Sequence, residues 1–550
     1  MKKFISMLLF VVMTLTSFSM IGCDREQGEM YDESKSLLNI GVMNAGMGLA
    51  WAKEAEADFE KLYENVEFEE GKKGVDVVID GRKDEFVPTA LRATMAGYSN
   101  AIYFVNQSDY DGYIADNLLV DITATINEKV YDANGDLAAV TKNPATQSIL
   151  DTMHTEFKGR NERNNKYYGI PWCTAVNGIV YDADLFDRKN YYFDANGNIG
   201  KNQADVDAGN CGTGPDGKMG TTDDGMPVTY NDFIKLLQKM KKEGVIPFTW
   251  ASTEYQRLYA YESIWANYEG YNDYKLNYTF SGTDAQLGQI TPSNAVEVLS
   301  DQEGRKAGIQ FFYDIIKNGY YSGEAFKNTY IEGQTEFVYS VNTNNDIAFF
   351  MEGGYWEREA IATFDRMAVT NKDHAYGKRN FKLFPIPNFV GVNGITDQTN
   401  TQEPEVILGG GDQALVFITA KNSCKNPELQ QELAKLFLQF VNSREQLVKF
   451  TKNTGACFRT YNFTPTDKEL ATFTKYAQSI YSYMEDGSEI MPCLNFAEAR
   501  KDSDFTGQWT FSAAAGTTIY TCPASIFKNN PTLSVDSCYT ALKASIKKLK

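Results

Sequence analysis

The residues in this sequence with the most to offer chemically are its six tryptophans, since most of them fall at the ends of β-like runs or beside small residues. Trp356 follows Gly353-Gly354 directly after the apolar run at 346–351, Trp172 lies inside the segment 168–186, and Trp51 and Trp250 sit near strand ends. Trp509 closes the run D-F-T-G-Q-W, while Trp265 falls on a helical pattern and is assigned to the core. An aromatic face at a strand end suits stacking on a ring of C–H groups, and planar amides and carboxylates suit a rim of hydroxyls. Those are the two surfaces of a carbohydrate. Polar groups stand at matching places: Asn44 after the first strand, Asn106, Ser108 and Tyr110 in or just after the loop following the third, Asn177 within 168–186, Glu352 before the two glycines, and Asp412 after three glycines. The chain has two histidines, His154 and His374, both in polar surroundings, and no H-E-x-x-H or G-x-S-x-G, which disfavours zinc and Ser-His-Asp chemistry. A pair of carboxylates flanking a glycosidic bond stays open among 72 acidic residues.

Residues 187–226 are rich in Asp, Asn and Gly, and Asp194, Asn196 and Asn198 fall at i, i+2 and i+4 with Asp205 at the twelfth place. This approximates the first ligands of a calcium loop, although Ile199 holds the sixth place where glycine is expected and Asp205 stands for the usual Glu. Asp216-Gly and Asp223-Asp224-Gly add oxygen-bearing turns. Structural calcium on Asp194, Asn196, Asn198, Asp205, Asp216 and Asp223 competes with a simpler account, a set of solvated Asx turns.

The elements that must position these groups alternate between strand and helix. Apolar runs at 37–43, 75–80, 101–105, 245–251, 346–351, 381–387 and 415–420 predict strands. Helical spacing predicts helices over 49–63, 85–98, 109–116, 254–268, 302–318, 427–440 and 443–449, with a C-terminal helix over 535–549. Thr229 or Asn231 can cap a helix running to 242. The last 90 residues are expected to be helical. Strand and helix in alternation imply α/β layers with ligand groups at the C-terminal ends of strands.

The N-terminus carries Lys2 and Lys3, an apolar run from Phe4 to about Thr14, and then Met20-Ile21-Gly22-Cys23. This predicts a signal peptide over 1–22, cleaved before Cys23 so that the thiol takes a lipid, and a polar tether over 23–36. The run is shorter than the roughly 18–20 residues that span a bilayer. A net charge of −19 argues against nucleic acid as a partner, and 43% hydrophobic residues over 550 predict more than one folded core. Seven cysteines beyond Cys23, with no C-x-x-C, define no disulfide map.

Several motifs in order carry a family resemblance: Y-G-I-P-W…V-N-G-I-V-Y-D-A-D-L-F at 168–186, D-N-L-L-V-D-I at 116–122, P-V-T-Y-N-D-F at 227–233, G-Y-W at 354–356, F-K-L-F-P-I-P at 381–387 and the helix at 427–440. Together they resemble the extracellular solute-binding proteins of ABC importers, in particular the sugar-binding class typified by maltose-binding protein. The resemblance implies an α/β, two-lobed periplasmic-binding-protein-like fold of type II, its cleft lying between lobes joined by crossing segments. One lobe would be 37–172 plus 413–460 and the other 178–408 plus 461–550, with 187–226 as an insertion. It also implies that Trp356 and Trp509 stack on sugar, and that Ala175 stands where a sugar-binding member carries a carboxylate. The expected protein is a non-enzymatic, monomeric lipoprotein on the extracellular or periplasmic face of a membrane, binding a carbohydrate without a required cofactor and passing it to permease subunits. An exported glycan-active enzyme or a surface glycan-binding adhesin is the alternative.

Overall fold

A computed structural model describes residues 31–549 apart from 98, 253, 343–344, 411–413, 421–425, 456, 459 and 493–508. Cys23, Asp412 and most of the predicted leader and tether thus lie outside the described residues.

The chain opens with β1 (Ser36–Val42), whose Leu38, Ile40 and Val42 are fully buried, and α1 (Ala50–Leu62), which turns Trp51, Ala52, Ala55 and Phe59 inward at helical spacing. Then come β2 (Val75–Asp80), α2 (Pro88–Ala96), β3 (Ile102–Val105) and α3 (Tyr110–Ala115). The crossing segment forms β4 (Ile170–Pro171) and β5 (Thr174–Asp182), with only Trp172 and Cys173 between them, and Asp182 caps α4 (Ala183–Lys189) through the Leu185 N–H. Next are α5 (Tyr230–Lys242), β6 (Ile246–Thr249), α6 (Glu254–Glu269), α7 (Gly304–Asn318), β7 (Ile347–Glu352), the single turn α8 (Trp356–Glu359) and β8 (Phe381–Leu383). Thr229 is the residue that caps α5, accepting from the Asp232 N–H. The chain crosses back through β9 (Val406–Gly410) and β10 (Leu415–Ile418), and continues as α9 (Pro427–Val441), α10 (Arg444–Thr454), β11 (Cys457–Phe458), α11 (Lys475–Glu485), β12 (Glu489–Pro492) and α12 (Val535–Ile546).

Two sheets organise these elements. The first has the order β2-β1-β3-β10-β4; β1 runs parallel to β2 and β3, while β10 is antiparallel to β3 and β4. The second has the order β6-β7-β5-β9-β12, with β8 and β11 also paired to β5. β7 is buried along its whole length, as a strand covered on both faces must be. β4 belongs to the first sheet and β5 to the second, and β10 and β9 divide in the same way, so the chain changes sheet at 172–173 and between 410 and 415, and returns to the second sheet at β11. Helices α1, α9 and α10 pack on the first sheet through Phe59, Phe437 and Phe450, and α5, α6 and α7 fill the core of the second through Phe233, Trp265 and Phe311.

Two expectations need correction. The helix predicted over 85–98 begins only at Pro88, after a 3-10 turn at Asp84–Phe86, because proline fits the first helical position and would break a later one. The last 90 residues are not all helical: β12 pairs in parallel with β9, and Ala513–Ala515 forms a hairpin with Thr518–Tyr520.

Candidate functional site

The parallel strands β1, β2 and β3 direct their C-terminal ends toward the second sheet, delivering the loop 43–49, Arg82-Lys83 and Asn106–Asp109. Facing them, β7 ends at Glu352 and leads into Gly353, Gly354, Tyr355 and α8. Here β5 runs alongside: Gly178 pairs with Glu352, and Asn177 lies one residue nearer the crossing. The glycines make close approach possible. A β-carbon on Gly354 would overlap the backbone of Val176, and one on Gly353 would stand 3.1 Å from Asn177 Oδ1 and 3.6 Å from the Tyr259 ring. The Glu352 carboxylate accepts the Gly353 N–H at 2.8 Å, and Asn106 keeps its Oδ1 buried with no hydrogen-bond partner. Glu359 is held by the Gln334 amide at 2.8 Å; burial raises its pKa, against the lowering effects of that bond and of Lys83 from the other side of the cleft. Asn177, Glu352 and Tyr259 thus gather beside Gly353 at the end of β7, and the loop after β1 faces Tyr355–Glu359.

The profile of a family described as bacterial extracellular solute-binding protein matches residues 48–447. This chain belongs to that family. Its fold is that of the two-lobed solute-binding proteins. The solute receptor AcbH, described with an exclusive substrate preference for β-D-galactopyranose, superposes with a TM-score of 0.51 at 12% identity, covering 94% of this chain and 100% of that one. A chitin oligosaccharide binding protein gives 0.52 at 14% identity, over 93% and 100%. No curated protein matches the sequence.

In this solute-binding protein the tryptophans occupy unexpected places. Trp51, Trp172, Trp250, Trp356 and Trp509 are between 0 and 3% exposed, and a ring with no open face offers a ligand no platform in this conformation. Trp356 is enclosed by Phe337, Phe350, Phe381 and Tyr476 with ring centroids 5.0–6.0 Å away. Trp172 donates its Nε1–H to the Val105 carbonyl at 2.8 Å and packs with Trp51, Phe104 and Phe450. Trp250 stacks on Tyr321, and Trp509 lies against the Arg305 guanidinium at 4.7 Å. Tyr110 also turns inward: its hydroxyl donates to the Asn161 carbonyl at 2.7 Å and accepts the Tyr168 N–H at 3.0 Å.

Of the predicted residues, Asn177 and Glu352 lie beside Gly353 at the end of β7, while Asn44 and Asn106 lie in the loops after β1 and β3. The sequence reasoning missed Tyr355, Arg358, Glu359, Lys83 and Tyr259. Tyr355 and Trp356 follow the two glycines at the turn into α8: Trp356 enters the core, while Tyr355 is half-buried and lies against Gly46 of the loop after β1.

The insertion stands at the other end of the second sheet, beside Tyr181, which pairs with Phe349 well before the cleft end of β7. Asp194 accepts the N–H groups of Asn196 and Asn198 at 2.8 and 2.9 Å together with the Asn198 amide, and Asn202 and Asp205 form a capping box. Asp216 accepts the Lys218 N–H at 2.7 Å, and Asp223 accepts from Asp216 N–H and the Thr221 hydroxyl, both at 2.9 Å. Each carboxylate is therefore occupied within its own turn or cap. Among the described residues no group of three or more His, Cys, Asp or Glu is placed to hold a metal. Burial pushes the Asp223 pKa up to about 7. Beside the insertion lies a polar hollow of about 550 Å3 with Asp207, Asp224, Lys382 and Lys475 in its wall.

Proposed function

We propose that this protein captures a carbohydrate, an oligosaccharide, between its two lobes and delivers it to the membrane subunits of an ABC importer. What supports the proposal is the end of β7, where Asn177, Glu352 and Tyr259 gather beside Gly353 and Tyr355 faces the loop after β1, in a chain of the solute-binding family. Amides and carboxylates satisfy hydroxyls, and tyrosine faces suit sugar C–H surfaces. Two structural neighbours named for carbohydrate ligands support the same class. Capture needs no cofactor and no bond cleavage, and the protein acts as a monomer. A lipid on Cys23 holds it at the outer side of the cell membrane, as the run Met20-Ile21-Gly22-Cys23 suggests.

A thermal-shift screen of the purified chain against a glycan panel tests the proposal. A ligand at a hundred times its Kd stabilises the native state by about 2.7 kcal/mol, a readily measured rise in melting temperature. One class of glycan is expected to give that rise. A panel that leaves the melting temperature unchanged throughout, or a glycan that is hydrolysed, refutes it. For the anchor, Cys23→Ala should shift the protein to the soluble fraction or leave its leader uncleaved; normal processing with full membrane retention contradicts the lipid.

A further inference from the structure

The lobes touch across the cleft at one place where nothing but the lack of a side chain permits it. A β-carbon on Gly46, in the loop after β1, would overlap Glu359 Oε1 and stand 2.5 Å from the Tyr355 ring, both from the other side of the cleft. Two residues on, a β-carbon at Gly48 would lie 3.3 Å from Arg358 Nη2. Lys83, from the loop after the neighbouring β2, is close enough to lower the pKa of Glu359. Tyr355 also packs against the buried cluster of the first sheet, which includes Met47 and Trp51, although it belongs by chain position to the second. Three residues from two neighbouring loops of one lobe (Gly46, Gly48 and Lys83) thus meet one short segment, Tyr355–Glu359, of the other.

We propose that Gly46 is the position that sets how far the cleft closes, and that Gly46 with Tyr355 and Glu359 forms a protein wall across its β2–β1 end before any ligand arrives. The wall leaves the β3 end, with Asn106, Asn177 and Tyr259, as the part of the cleft that receives the solute. A saccharide bound there abuts Tyr355 with one of its ends, so the site recognises a chain terminus and excludes a chain running through. This last consequence rests on the carbohydrate proposal; the wall does not.

Gly46 has an ordinary negative φ, so a side chain at this position meets only the opposing lobe and brings no backbone strain. The test therefore needs no sugar. Small-angle scattering and hydrogen exchange are measured on the ligand-free wild type, Gly46→Val, Tyr355→Ala and the double variant. Gly46→Val is expected to show a larger radius of gyration and faster exchange over 44–49 and 355–359 at unchanged melting temperature. Tyr355→Ala should speed exchange over 44–49, and combining it with Gly46→Val should return the radius part of the way toward wild type, because it removes the ring but leaves Glu359, the other group that clashes. A Gly46→Val protein with wild-type radius and wild-type exchange in both segments overturns the proposal. A glycan panel without a binder would refute the carbohydrate assignment and leave this result standing.

Discussion

Replacing Trp356 with alanine separates two roles that the sequence alone leaves open for it. The ring is fully buried and packs on Phe337, Phe350, Phe381 and Tyr476. Removing a large buried aromatic forfeits its transfer free energy and leaves a cavity that rigid neighbours fill only in part, about 3–5 kcal/mol in comparable cores. At 1.4 kcal/mol per decade this is roughly a hundredfold to several-thousandfold in the folding equilibrium of that lobe. Urea denaturation followed by far-UV circular dichroism reads it as a lower midpoint at an unchanged slope. Ligand affinity, measured at a temperature where the variant is folded, is expected to change far less than stability. A Trp356→Ala protein whose unfolding free energy matches wild type within about 1 kcal/mol, while solute binding falls tenfold or more, would refute the burial argument and restore the ring to the cleft.

Further predictions follow from other buried groups. Glu262 and Glu357 are pushed up to about 7 and Glu269 to about 8, mainly by burial. A carboxyl whose folded pKa lies above its unfolded value binds more protons in the native state, so its contribution is full below about pH 4.5 and is lost as pH rises through 7 to 8. Melting temperature should therefore fall between pH 5 and 8, and Glu357→Gln should flatten part of that slope; a rise over this range contradicts the assignment. Below pH 4 the sign reverses for Asp151 and Glu469, held down at about 2 by Lys129 and Arg444, and stability should drop there as they protonate. Arg379 is buried with Asp182 and donates to the Val338 carbonyl, so Arg379→Met leaves a carboxylate without its partner and should cost about 3–5 kcal/mol in a urea titration; a loss under 1 kcal/mol refutes it. Because Asp194, Asp216 and Asp223 are occupied by their own turns, chelation should leave the melting temperature unchanged. A fall on chelation that calcium restores would return the calcium loop.

Much of the fold was legible because periodicity is a local signal. The run at 37–43 became Ser36–Val42 and the helix predicted over 49–63 became Ala50–Leu62, since alternating and 3.6-residue apolar patterns are written within a few residues. The strand Glu489–Pro492 was not legible, because its pairing partner Val406–Gly409 lies some 80 residues upstream and leaves no mark on the sequence around it. The site divides in the same way. Glu352 ends β7 and Asn106 follows β3, at the places where the strand-end rule looks for ligand groups, whereas Asn177 stands inside β5. The tryptophans do not follow from that rule, because at a strand end one residue of rotation decides between core and cleft, and the core has the stronger claim on a large apolar ring. In G-Y-W the tryptophan fills the interior of its own lobe, and the half-buried tyrosine packs across to Gly46 and the first sheet's cluster.

The measurement that bears most directly on carbohydrate capture in the cleft is a calorimetric titration of the panel's binder into wild type and Asn177→Ala, with the glycan recovered and sized afterwards. The account predicts one molecule bound per chain, affinity at least tenfold weaker in Asn177→Ala, and a glycan recovered at its original length. Binding that Asn177→Ala leaves untouched, or a shortened glycan, would contradict it.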